Sequence, residues 1–203
     1  MKSFTLAIAA LAGTAAAQYY NVTSNPFALF LKSDNATING TALGACHQGA
    51  AIEGLCLTGS RRNETSTYHT FYHNVSASDA PNAIDIPGVL GYTLTAGGGL
   101  IVPSAMEFSI NPTSNVAVPI FYPGWDRYST VEFDECGEMY IEAYQDDTVS
   151  PPVYFPTPLK VKNWYICLTR WSYTYSTLVW KIGVTGEPQN PSCQKVVVER
   201  VWL

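Results

Sequence analysis

The 203-residue chain carries 11 basic and 16 acidic side chains, three histidines and five cysteines, for a formal net charge of −5. That balance excludes a phosphate-backbone binder, which needs a basic surface, so no nucleic-acid partner is expected. The length suits one domain with a substantial core.

In chain order, residues 1–17 read as a removable export signal. Lys2 is its lone charge, an apolar run spans Phe4 to Leu11, and small residues end it at Ala15-Ala16-Ala17. Cleavage exposes Gln18 and leaves one secreted domain over 18–203 with a net charge of −6, Lys2 having gone. No later apolar run approaches the roughly 20 residues of a bilayer span. Charges inside Val196–Leu203 also argue against a lipid-anchor tail. The expectation is an extracellular, soluble monomer. In that setting Asn21, Asn35, Asn39, Asn63 and Asn74 open glycosylation triplets, all before residue 77, whereas Pro112 excludes Asn111.

Most of the chain reads as short strands. Phe27–Leu31 is an apolar strand, and Asn39-Gly40 marks a tight turn. Gly49–Leu57 is the one helix candidate, a turn or two long. Thr67–Val75 alternates, with Tyr68, Thr70 and Tyr72 on one side and His69, Phe71 and His73 on the other. Leu90–Leu94 and Met106–Ile110 follow. Val116–Tyr122 is interrupted by Pro119 and so reads as an edge strand or bulge. Thr130–Phe133 and Met139–Tyr144 suggest a hairpin. Ser150–Pro158 holds four prolines and reads as a stiff crossover between sheets. Trp164–Thr169, Thr177–Ile182 and Val196–Trp202 are strongly β-prone. Nine or ten short strands predict an all-β fold, a single-domain sandwich or closed barrel. A β-trefoil is a weaker alternative, because the threefold spacing is missing.

Five cysteines allow fifteen ways to form two bonds and leave one thiol. Cys46 with Cys56 closes a short glycine-containing loop, and Cys167 with Cys193 ties neighbouring final strands; these pairs are favoured. Cys136 is left over, either a reactive thiol or, as preferred, a buried inert side chain beside the hairpin.

Candidate chemistry is thin. Asp126–Asp147 is densely acidic and is opposed within the segment only by Arg127. Two facing carboxylates would serve a glycosidase and crowded oxygens a calcium ion, but a solvated acidic face is the simpler account. His69 and His73 stand about 13 Å apart on a strand, too far for one zinc ion. His47 could pair with Glu53 or Asp126 across the fold. The hydrolase elbow, the zinc-protease helix motif and the phosphate loop are missing, so neither a catalytic residue nor a cofactor is assigned. The aromatics are more suggestive, because exposed rings stack on apolar sugar faces. Trp164 and Trp180 read as core, while Arg170, Trp171 and Tyr173, in a turn between strands, are the candidate ligand surface. A glycan-covered first third would leave that second half accessible.

Two blocks carry a resemblance. One runs Ala45-Cys46-His47-Gln48-Gly49-Ala50-Ala51-Ile52-Glu53-Gly54-Leu55-Cys56-Leu57. The other comprises Ile166–Trp171, Tyr175–Trp180 and Pro188–Cys193, with Ser114–Pro119 between the two blocks. Together they resemble a family of secreted fungal proteins of unknown function. The resemblance implies an extracellular, β-rich protein and carries over no activity. The leading expectation is a non-catalytic secreted glycoprotein that binds cell-wall polysaccharide or a host surface component, or contributes to the matrix. The alternatives are a small glycan hydrolase using a carboxylate pair, including the Glu132–Glu142 hairpin or Glu53, and a host-interaction protein acting by protein contact.

Overall fold

The computed structural model describes residues 20–62 and 69–203. The expected export signal, Gln18, Asn63, Thr67 and Tyr68 lie outside them. Eight antiparallel strands close a barrel: β2 (Phe27–Lys32), β3 (Thr41–Gly49), β4 (Ile52–Arg61), β13 (Thr174–Lys181), β8 (Val116–Pro123), β7 (Ile101–Ile110), β6 (Gly88–Thr95) and β5 (Phe71–Ser76), which returns to β2. Closure removes the unpaired edges that an open sheet would leave. Outside the ring, β1 (Tyr20–Thr23) pairs with β5 and β15 (Val197–Trp202) with β2. The strands β9 (Thr130–Phe133), β10 (Met139–Asp146) and β11 (Val153–Val161) continue in series from β6. The last two, β12 (Trp164–Arg170) and β14 (Gln194–Lys195), extend outward from β13.

Alternation along each strand builds the core. Phe27, Leu29 and Leu31 of β2 turn inward, as do Leu43, Leu55, Phe71, Leu90, Met106, Phe121 and Leu178 of the other barrel strands. Outer strands add Phe133, Met139 and Trp164 to the same cluster. The Trp164 indole N–H donates to the Met139 carbonyl at 2.7 Å, so this buried ring has its polar atom satisfied. Trp180 meets Trp164 edge to face at 4.8 Å.

Three sequence expectations are overturned. The Gly49–Leu57 helix is instead the end of β3, a tight turn with Ala51 at φ 57°, and the start of β4. The cross-strand ladder Ala45↔Leu55, Cys46↔Gly54 and His47↔Glu53 outweighs local helix propensity there. Pro119 lies in a barrel strand, not at an edge. On one side of β8 the ladder to β13 stops at Ala117 and the ladder to β4 begins at Ile120, so the missing N–H falls at the changeover. The proline-rich segment is no plain crossover: residues 153–161 form β11, which pairs with β10 alone. Its register jumps between Leu159↔Ala143 and Tyr154↔Gln145, and Pro156 and Pro158 lie within that jump.

Disulfides join Cys46 to Cys56 and Cys167 to Cys193. Cys136 is a free thiol and is exposed, contrary to the buried site preferred from sequence. The turn between β9 and β10 is anchored by Asp134, whose Oδ1 accepts the backbone N–H groups of Cys136 and Glu138, leaving the side chain at 136 outside.

Candidate functional site

Strands β1, β5, β6 and β7 border a groove of about 670 Å³. Tyr20, Asn21 and Thr23 come from β1, Tyr72 and Asn74 from β5, Gly91, Tyr92 and Thr93 from β6, Pro103 from β7, and Trp125 and Tyr128 from the loop after β8. Because Phe71, His73 and Val75 are buried in the interior, Tyr72 and Asn74 are left on the outer side of β5. Tyr92 contributes from its strand while its ring packs near Phe71 and Phe121.

Gly91 admits the indole of Trp125. A Cβ at that position would stand 2.9 Å from Trp125 Cη2, so a larger residue would displace the ring. Tyr20 and Tyr128 meet edge to face with centroids 5.2 Å apart. Burial, followed by the influence of Tyr128 and Asp79, raises the Tyr20 hydroxyl above its ordinary pKa, which keeps it a neutral donor. No lining residue is charged. The groove therefore offers rings for apolar faces and Asn, Thr and Tyr groups for neutral hydroxyls.

The turn favoured from sequence lies elsewhere. Trp171 is half-buried, with its indole N–H on Ser109 Oγ at 3.1 Å and its ring edge-on to Tyr122. Arg170 and Tyr173 are exposed. Gln48, fully buried on β3, accepts the backbone N–H groups of Ser172 and Tyr173 at 3.1 and 3.0 Å, pinning the turn to the first disulfide hairpin. None of the three candidate residues lines the groove.

Nor is the acidic segment simply solvated. Glu132 and Asp134 are buried; Glu132 is held by Tyr140 of its own hairpin, and Asp134 by a lysine from distant sequence. Lys162 Nζ lies 2.6 Å from Asp134 and 2.7 Å from Glu138. Lys160 contacts Asp85 at 2.7 Å and Glu135 at 3.4 Å. Tyr140 Oη stands 2.7 Å from Asp85 Oδ1 and 2.8 Å from Glu132 Oε2. A phenol has one proton, so one of those carboxyls must bring its own. Burial would raise Asp85, but bonds from Lys160 and Tyr140 outweigh it and hold the carboxylate below its usual range. Glu132 moves the other way: burial raises it, the Tyr140 bond opposes, and Glu142 and Asp85 add to the rise. The two carboxyls are therefore pushed in opposite directions: Asp85 is held as the anion to lower pH, and Glu132 takes up a proton more readily than an ordinary glutamate.

Glu142, on the same hairpin, is one of the charges that raise Glu132. Neither lines the groove. His47 Nδ1 lies 3.9 Å from Glu53 Oε1 across β3 and β4, and burial raises Glu53 against that histidine's pull. Among the described residues, no group of three or more His, Cys, Asp and Glu side chains is placed to hold a metal ion.

The glycosylation acceptors do not separate from the aromatic face as the sequence suggested. Asn21 is exposed and Asn74 only 8% exposed, and both line the groove beside Trp125 and Tyr128. Asn35 is half-buried with its amide N–H on Gln194 Oε1 at 2.6 Å, and Asn39 is exposed. Sequence reasoning missed the groove itself. Its available signals were Gly91 interrupting an apolar strand and the rings of Trp125 and Tyr128 beyond the Pro123-Gly124 turn.

A family model described as "Domain of unknown function (DUF7907)" matches residues 18–202, and the chain belongs to that family. No curated protein and no solved structure matches it.

Proposed function

We propose that this DUF7907 protein is an extracellular, non-catalytic glycan-binding protein that holds a neutral saccharide in the groove of Tyr20, Tyr72, Trp125 and Tyr128. The observation that carries the reading is the composition of that groove: aromatic rings with neutral amides and hydroxyls and no carboxylate or cation. Axial C–H groups of a pyranose form an apolar face that gains dispersion contact with a ring, while its hydroxyls bond to Asn and Thr. A volume of about 670 Å³ falls within the roughly 300–1,000 Å³ of small-ligand sites. Absence of charge from the lining favours neutral wall polymers over uronic-acid polymers. Two disulfides fit an oxidising, extracellular setting.

The test is sedimentation with insoluble chitin, β-glucan and cellulose, comparing the native protein with Trp125→Ala. The native protein should be retained by at least one polymer, and loss of the indole should weaken retention about tenfold or more. Retention by none of them, or equal retention of the variant, overturns the reading. Because no carboxylate lines the groove, bound oligosaccharide should be recovered uncleaved.

A further inference from the structure

Two acceptor triplets run alongside each other at the groove. Asn21-Val22-Thr23 lies on β1 and Asn74-Val75-Ser76 on β5, with Thr23 directly opposite Asn74. They differ in access. Asn74 is buried in the groove wall, whereas Asn21 is exposed on the outer strand, so a substituent on its amide has an open path. Tyr20 and Tyr128 stand edge to face beside it, and Trp125 lies over Gly91 in the same lining.

We propose that Asn21 carries an N-linked glycan whose first sugars fold onto Trp125 and Tyr128, so that the protein's own glycan seats in the groove and competes with external saccharide. Attachment requires a lipid-linked pyrophosphate oligosaccharide as donor during export. The Asn21 Nδ2–C1 bond forms, the C1–O bond to pyrophosphate breaks, and the amide releases one proton as the lipid pyrophosphate leaves. The occupant is argued from tethering. A saccharide fixed at the groove's own lining has a high effective concentration there, reaching the millimolar range for short flexible links, and excludes free ligand of modest affinity. Competition with an external saccharide rests on the proposed glycan-binding function; seating of the tethered glycan stands without it.

The experiment uses the full chain secreted from a glycosylating eukaryotic host. Peptide mapping by mass spectrometry should find glycan on Asn21 and none on Asn74. Hydroxyl-radical footprinting should then label Trp125 and Tyr128 several-fold more in Asn21→Gln than in the native protein. Labelling should be unchanged in Asn39→Gln, whose acceptor lies outside the groove. Enzymatic removal of glycan from the folded protein provides a second route and should expose the same rings. An unmodified Asn21, or equal labelling with and without its glycan, overturns the proposal. Binding of triacetylchitotriose then separates the two readings. Tighter binding by Asn21→Gln than by the native glycoprotein supports competition, and equal binding overturns it. No binding by either, with ring protection intact, removes chitin-type saccharide as the external ligand and competition with it, but leaves the glycan seat.

Discussion

At the scale of single residues, burial decides which side chains keep a charge. His73 is 1% exposed, and its Nε2 lies 3.0 Å from the Val131 carbonyl. A carbonyl only accepts, so the proton sits on Nε2, and Nδ1 is buried with no hydrogen-bond partner among the described residues. Burial, opposed by the Val131 bond and reinforced by the Arg200 charge, lowers the histidine to about 4. An unfolded histidine takes its proton near its ordinary value of 6.5, so this contribution is fully present above that pH. It is lost as pH falls from there through the folded value, about 3 kcal/mol in all. NMR titration should place the ring near pH 4, and urea unfolding should show declining stability over that interval; a ring titrating above pH 6 would contradict it. Gly91 illustrates steric control. Gly91→Val should displace Trp125, shift its fluorescence, cost about 1–3 kcal/mol by overpacking, and weaken saccharide retention as Trp125→Ala does.

Among elements, prolines and carboxylates show how partners revise a local reading. Pro119 suggested an edge, yet the ladder changeover accommodates it inside the barrel, while Pro156 and Pro158 occupy a strand with one partner. The β9–β10 hairpin reads as acidic in sequence, and its neutralising lysines arrive from β2, β11 and the turn after β11. Tyr140 links Asp85 and Glu132 within that cluster. Tyr140→Phe should therefore cost about 1–3 kcal/mol, measured by urea unfolding near neutral pH; an unchanged midpoint would refute the linkage. Sequence separations of 10 and 26 residues set the two disulfide loops. Chain entropy predicts about 3 kcal/mol for each, with the larger share from Cys167–Cys193. Calorimetry of the single-bond variants Cys46→Ala/Cys56→Ala and Cys167→Ala/Cys193→Ala should rank them in that order.

For the molecule as a whole, the last strand of the chain returns to the second. From Val197↔Lys32 to Trp202↔Phe27, β15 covers β2 in unbroken register. Arg200 brings its guanidinium 4.4 Å from the Phe133 ring centroid and 4.2 Å from that of Trp202. Removing residues 197–203 would uncover a barrel strand and the Phe27–Leu31 row. The truncated protein should lose cooperative thermal unfolding by circular dichroism and become aggregation-prone; a native-like melt would show that closure does not need β15. The groove is also a property of the whole, since its rings come from β1, β5, β6 and the loop after β8.

Periodicity and residue type made the all-β class, several strands from Phe27–Leu31 to the final hairpin, and the shared side of Phe71 and His73 legible, because alternation is a local constraint on the backbone; which side faces the core was not. The sequence favoured the same two pairs that the structure joins, Cys46–Cys56 for its short glycine-containing loop and Cys167–Cys193 for tying neighbouring final strands. The two family blocks could be quoted from the sequence, but not the contacts that make them neighbours, Gln48 on the Ser172–Tyr173 turn and Thr177 opposite Cys56. Tertiary structure alone decided the closed barrel over a sandwich, the exposure of Cys136, the lysine partners of the acidic hairpin and the assembly of the groove. Each of those depends on which distant strands lie side by side, and local pattern specifies the faces of a strand without naming its neighbour.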